Sequence, residues 1–392
     1  MTTTTINSGY PVQARTGHSA TAWKTIESVL LKHHDKPDLQ AARAVIASVC
    51  SHRQKGAPVW PMIVAPPGSM KTHLLDGLDG LPQIHFIDQV TPKTFISGQI
   101  EDSTKRSKVP ASLLHRIGDD GIIVYPDFST VLGMKHDDKA SVLADMRRIY
   151  DGHLSKEFGT GDNVAKRAWK GRITFVVAVT PAIDGFYSVF QTLGERFVMI
   201  RWPRTDGMDA ALAAMNQNTE QAKGELKAAV RAFFDQLPDI NPELPPDIQR
   251  KIAALTEIAV RGRTHVPRSG YNKDIVYVPE PESPTRLAQQ LAQLAKGAAL
   301  LEGQPTVSEA DYALVRRVAF DCLPPARAKI LKSLIQTGDL KDAEMPASTL
   351  KYATEELEAH GLLSRRTLSS FCKGLLVEAG CLGQTYDRST VM

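Results

Sequence analysis

The sequence predicts an α/β protein: a parallel sheet flanked by helices, followed by a helical region and a small mixed terminal unit. Three observations carry this. Five short apolar segments have the length and composition of buried strands: VWPMIVA (59–65), QIHFID (83–88), DDGIIVYPDF (119–128), RITFVVAVTP (172–181) and ERFVMIRWP (195–203). Helical segments separate them, as the crossovers of a parallel sheet require. Over residues 206–320 the apolar spacing switches to helical, with three long amphipathic segments.

In order, residues 1–20 are polar, and 21–56 carry two helical patterns, WKTIESVLLKHH and LQAARAVIASVCSHRQKG. KTHLLDGLDGL opens a helix after the first strand. The later helical patterns are DAALAAMNQNTEQAKGELKAAVRAFFDQL, PPDIQRKIAALTEIAVRGRT and SPTRLAQQLAQLAKGAALLEG. PPARAKILKSLIQTG, MPASTLKYATEELEAHGLL and SRRT then read as helix, helix and basic turn. The expected units are an N-terminal helical segment (1–56), an α/β core (57–205), a helical lid (206–322) and a terminal unit (323–392).

Composition bounds the function. The chain has 392 residues, 42% hydrophobic and 23% charged, which fits a globular protein with a sizeable core. No apolar run approaches the ~20 residues of a membrane helix, and the opening lacks a signal-peptide core, so a cytoplasmic location is expected. Cys50, Cys322, Cys372 and Cys381 lie far apart without zinc-like spacing. A net charge of +4 does not by itself imply nucleic acid, so any DNA contact must come from local patches.

The stretch VAPPGSMKTHLL (64–75) carries the chemistry. A phosphate-binding loop needs a strand, a turn whose backbone N–H groups face phosphate oxygens, and a helix start bearing Lys and Ser/Thr. Pro67, Gly68, Ser69, Met70, Lys71 and Thr72 supply these parts, although glycine is missing at Ala65 and Met70. The bland alternative is a Pro-Gly turn followed by a surface lysine.

APPGSMKT resembles, position by position, the phosphate loop of the MCM helicases of the AAA+ superfamily, where a small residue precedes the Lys. That resemblance implies an AAA+ P-loop core with a helical lid, and ATP and magnesium (Mg2+) as ligands. It extends along residues 60–320. Asp127-Phe128 matches the acidic strand end that holds magnesium with Thr72, with an aspartate that merely begins a turn as the alternative, and Pro126 stands where the family has a second acid. Thr180 occupies the polar sensor position, with a strand-end cap as the alternative. GERF resembles the segment whose arginine, here Arg196, acts on a neighbouring subunit's phosphate. SPTR resembles the lid motif that sends its arginine, here Arg286, to the nucleotide. Arg196 and Arg286 each also have a reading as ordinary arginines. The likeness is nearest to MCM-like ATPases of bacterial mobile elements and phages, and it implies a homo-oligomer, a hexameric ring acting on single-stranded or forked DNA.

Between the third and fourth core strands, KEFGTGDNVAKRAWK reads as a hairpin with residues 159–162 as its turn. Lys156, Lys166, Arg167 and Trp169 are candidates for phosphate and base contacts. A basic hairpin touching only a neighbouring subunit is the other reading. The terminal unit has the element order of a winged helix, with Ser348-Thr349-Leu350-Lys351 opening the recognition helix, and binds either DNA or protein. Two functions follow as expectations: a ring-forming, DNA-translocating ATPase acting as a helicase, or a nucleotide-switched loader with weak hydrolysis.

Overall fold

The computed structural model describes residues 18–97, 112–160, 163–186, 195–204, 207–208, 211–212, 215 and 218–383. The chain enters through two helices, α1 (His18–His33) and α2 (Leu39–Cys50). The core then runs β1 (Trp60–Val64), α3 (Lys71–Asp76), β2 (Ile84–Phe86), α4 (Leu113–Ile117), β3 (Asp120–Tyr125), α5 (Ser129–Leu132) and α6 (His136–Tyr150). A hairpin follows, β4 (His153–Thr160) and β5 (Asn163–Lys170), and then the strands β6 (Arg172–Val179) and β7 (Phe197–Arg201).

Strands β1, β2, β3, β6 and β7 form one parallel sheet in the order β2-β3-β6-β1-β7. All five strands anticipated from the sequence are present. β1 is buried at every residue and β6 at all but its first, as expected of central strands covered on both faces. Pro61 is unusual in such a strand because it has no N–H. The Ala65 N–H donates to the Val179 carbonyl of β6, and Pro61, four residues earlier, faces the same way. β1 accordingly pairs with β7 from Trp60 but with β6 only from Met62.

The helical region comprises α7 (Thr219–Gln236), α8 (Pro246–Arg263), α9 (Thr285–Leu301) and α10 (Glu309–Asp321). The entering helices are part of this layer: α1 packs on α7, and α2 lies between the sheet and α9. Contact between α2 and α9 depends on Gly297, where a Cβ would stand 2.1 Å from the Ala47 carbonyl oxygen.

The terminal unit is α11 (Pro325–Gln336), α12 (Ala347–Ala359), a short hairpin of β8 (Leu363–Ser364) and β9 (Thr367–Leu368), and α13 (Ser370–Glu378). Arg365 and Arg366 make the two-residue turn, both with positive φ (48° and 63°), as a type I′ turn requires. Both are exposed at its tip. Among the described residues no helix is long and apolar enough to cross a membrane.

Candidate functional site

The loop after β1 begins with a β-turn over residues 66–69, closed by the Ser69 N–H donating to the Pro66 carbonyl at 3.3 Å. Pro67 sits at its second position and Gly68, with φ +74°, at its third, the arrangement of a type II turn. No atom lies within 4 Å of where a Gly68 Cβ would be, so glycine is needed here for its backbone angle and leaves the loop face open. Met70 is buried in the core, which accounts for a bulky residue where a small one was expected. Lys71 and Thr72 open α3, with Thr72 exposed.

The Lys71 ammonium folds back to donate to the Ala65 carbonyl at 3.4 Å. Partial burial lowers its pKa, and the nearby Asp127 carboxylate opposes that shift. Asp127 is exposed at the end of β3, where its loop is tied to β6 by the Phe128 N–H donating to Ala178 at 2.8 Å. Its carboxylate accepts from the Ser129 N–H at 3.2 Å. Thr180, at the end of β6, precedes a 3-10 turn (Pro181–Gly185) but makes no side-chain capping hydrogen bond, so capping does not account for it. Parallel strands thus bring Pro67 to Thr72, Asp127 and Thr180 to one edge of the sheet, the carboxyl-end edge where open α/β sheets bind ligands.

Two buried hydroxyls on this edge, Ser69 Oγ in the first loop and Ser129 Oγ in the second, have no hydrogen-bond partner. Unsatisfied buried donors flanking a lysine and an open glycine turn fit a phosphate-bearing ligand. Among the described residues no group of three or more His, Cys, Asp or Glu side chains could hold a metal. Magnesium at Thr72 and Asp127 would therefore take its remaining ligands from phosphate and water, as this ion commonly does.

Arg196 and Arg286 lie elsewhere. Arg196 immediately precedes β7, and Phe197 pairs with Trp60 at the start of β1. Lys71 follows the end of β1, so five residues of strand, ~16 Å, separate the two along the sheet. Arg196 is buried, and its Nη2 lies 3.1 Å from both carboxylate oxygens of Asp151. Its guanidinium stands over the Tyr150 ring, 5.5 Å from the centroid. The Arg286 guanidinium is 5.9 Å from the same ring. Arg196 is therefore no ordinary surface arginine, and neither arginine reaches Lys71 of its own chain.

The hairpin exists, with Lys156 opposite Arg167 and Leu154 opposite Trp169. Two of its expected DNA contacts need correction. Trp169 is 7% exposed, and its indole N–H donates to the Gly118 carbonyl, so it anchors the hairpin root and is not available to stack on a base. Lys156 pairs with Asp145 of α6 and donates to the Pro92 carbonyl at 2.7 Å, so it too is held inside the protein. Strand alternation explains both: residues 154, 156, 167 and 169 share the face turned towards α6 and the core. Lys166 is on the other face, exposed, across from Glu157 at 3.9 Å. Residues 161–162 of the expected turn lie outside the described residues.

Sequence reasoning missed Asp151, Tyr150 and Asp145, the partners that hold these cations. Asp145 had a signal, since an acidic residue on the apolar stripe of α6 needs a buried cation nearby. In the terminal unit, Ser348, Thr349 and Lys351 are exposed on the first turn of α12. The acidic residues behind them are engaged: Glu355 and Glu356 accept from Arg268, and Glu356 also pairs with Arg327 at 2.9 Å.

Compared with known proteins, the chain matches no family model and no curated sequence.

Proposed function

We propose that the protein is an MCM-like AAA+ ATPase that assembles into a ring, hexameric by that resemblance, and moves along DNA. The observation that carries this reading is the division of the expected site between two sheet edges. Lys71, Thr72, Asp127 and Thr180 gather at one edge, and Arg196 and Arg286 share the Tyr150 ring at the other. Parts so divided come together only between two copies, in a head-to-tail contact of the kind that closes into rings.

In this reading the loop N–H groups and Lys71 bind the phosphates of ATP. Thr72 and Asp127 would hold magnesium, which supplies charge neutralisation when bound. Thr180 orients water, and the neighbour's Arg196 and Arg286 neutralise charge that develops during transfer. The terminal unit acts as a winged helix, with the exposed turn of α12 and Arg365-Arg366 facing DNA. Its acidic residues Glu355 and Glu356 do not oppose this, because they are neutralised by arginines of the same chain.

The test is complementation. Arg196→Ala and Lys71→Ala should each lack ATP hydrolysis, whereas a mixture should regain part of it, one variant lending its arginine and the other its loop. A mixture as inactive as either variant would remove the shared site. Pro126 favours a second reading, a nucleotide-switched loader with weak turnover, because the position beside Asp127 lacks a carboxylate. Absence of DNA stimulation in an otherwise active ring would favour that alternative.

A further inference from the structure

We infer that Asp151 is a positioning residue that holds Arg196 on its own subunit and ties release of the arginine to movement of the β4–β5 hairpin root. Its place in the cycle rests on the reading of Arg196 as the residue that completes a neighbour's site.

Asp151 caps the C-terminus of α6, and only Gly152 separates it from the hairpin. The root is closed by the Gly171 N–H donating to the Gly152 carbonyl at 3.0 Å, and Gly152 turns the chain with φ +83°. There is no slack at this point: a Cβ on Gly171 would lie 2.2 Å from the Asp119 carbonyl oxygen and 2.6 Å from the Trp169 ring. The hairpin and Asp151 therefore move together.

Asp151 grips Arg196 asymmetrically. The arginine side chain is 9% exposed and the carboxylate 39%, so the guanidinium reaches outward to a carboxylate at the surface. Beneath it the Tyr150 ring supports both Arg196 and Arg286. A phosphate presented by another subunit would compete with Asp151 for the same guanidinium, since both anions want its planar donors. Pulling the hairpin would lengthen the Asp151–Arg196 contact and favour the phosphate. By reciprocity, capture of Arg196 by phosphate would loosen the hairpin root.

Two measurements on the full-length protein without nucleotide test this. Modification of Arg196 by p-hydroxyphenylglyoxal, read by mass spectrometry, should be slow in the wild type. Asp151→Asn should accelerate it on the order of tenfold, because a charge-assisted pair is lost. Asp151→Glu, which keeps the charge, should stay near the wild-type rate. In the converse direction, Arg196→Met should speed amide hydrogen exchange at residues 153–157 and 166–170. Unchanged Arg196 modification in Asp151→Asn would overturn the inference, as would unchanged hairpin exchange in Arg196→Met. Should Asp151→Asn fail to fold, the Arg196→Met exchange and the Asp151→Glu labelling decide. If both measurements respond but the Arg196→Ala and Lys71→Ala mixture stays inactive, the shared-site reading falls and the grip stands. If the mixture is active and neither measurement responds, the grip alone falls.

Discussion

His34 Nε2 and His73 Nδ1 lie 2.6 Å apart, so one imidazole donates a hydrogen bond and the other must keep a lone pair to accept it. Both rings are therefore neutral or share one proton between them. The pair joins the end of α1 to α3, the helix that carries Lys71 and Thr72.

Acid should break this contact. Burial, the facing His73 and the adjacent His33 hold the His34 pKa down at about 4, and burial also lowers that of His73. Because the folded value lies below the ordinary 6.5, the unfolded chain binds more protons between those two values. Stability contributed here is thus unaffected above pH 6.5 and declines as pH falls towards 4. His34→Gln, which can still donate to His73, should show a shallower loss of melting temperature than the wild type between pH 6.5 and 5. Equal slopes would mean that the pair does not titrate as described.

Two glycine substitutions should act in opposite directions. Gly297→Ala puts a methyl 2.1 Å from the Ala47 carbonyl oxygen, and the obstacle is helix backbone. Separating α2 from α9 should cost at least ~1–3 kcal/mol, the usual scale of overpacking. Gly224→Ala, exposed within α7 with no atom within 4 Å, should instead stabilise by ~0.4–1 kcal/mol. Denaturant melts of both variants check the pair. A stabilised Gly297→Ala would contradict the close approach of α2 and α9.

Much of the fold was legible because its signals are local. Buried parallel strands are continuous apolar runs, and RITFVVAV and WPMIV stand out for that reason. The turn at Pro66–Ser69 was legible because Pro-Gly has one favoured geometry. Strand order, and with it the separation of Arg196 from Lys71, is a long-range property that no local pattern encodes. Side-chain direction in the hairpin was partly legible. A period of two from buried Leu154 leads to Lys156, and an inward lysine demands an acid such as Asp145. The composition of the hairpin suggested a basic surface instead, and for Lys156 and Trp169 the alternation decides against it.

Trp169 should therefore behave as a structural residue. Trp169→Phe keeps most of the ring and removes the indole donor to Gly118. Losing that bond, with the exposed Gly118 carbonyl returned to water, should cost ~0.5–1.5 kcal/mol of stability. Single-stranded DNA affinity of the folded variant should match the wild type, and loss of affinity without loss of stability would restore the stacking role.

The hairpin's cations separate a motor from a switch. A motor needs a grip on DNA within the ring, and with Lys156 and Trp169 held inside the protein the hairpin's candidates are Lys166 and Arg167, on opposite faces of β5. Lys166 is the better placed, being exposed and only loosely opposed by Glu157. Each phosphate contact with single-stranded DNA contributes ~0.7 to the slope of log affinity against log salt. Lys166→Ala should lower that slope by about one such increment, and adding Arg167→Ala should lower it further only if Arg167 turns outward in the complex. DNA stimulation of ATP hydrolysis should fall with the slope, while nucleotide binding through Lys71 stays intact, because the hairpin root lies at the opposite sheet edge. A double variant that keeps the wild-type slope would move the grip to the terminal unit. There, Lys351, Arg365 and Arg366 are exposed together with the first turn of α12, and the same salt titration on their alanine variants would find it.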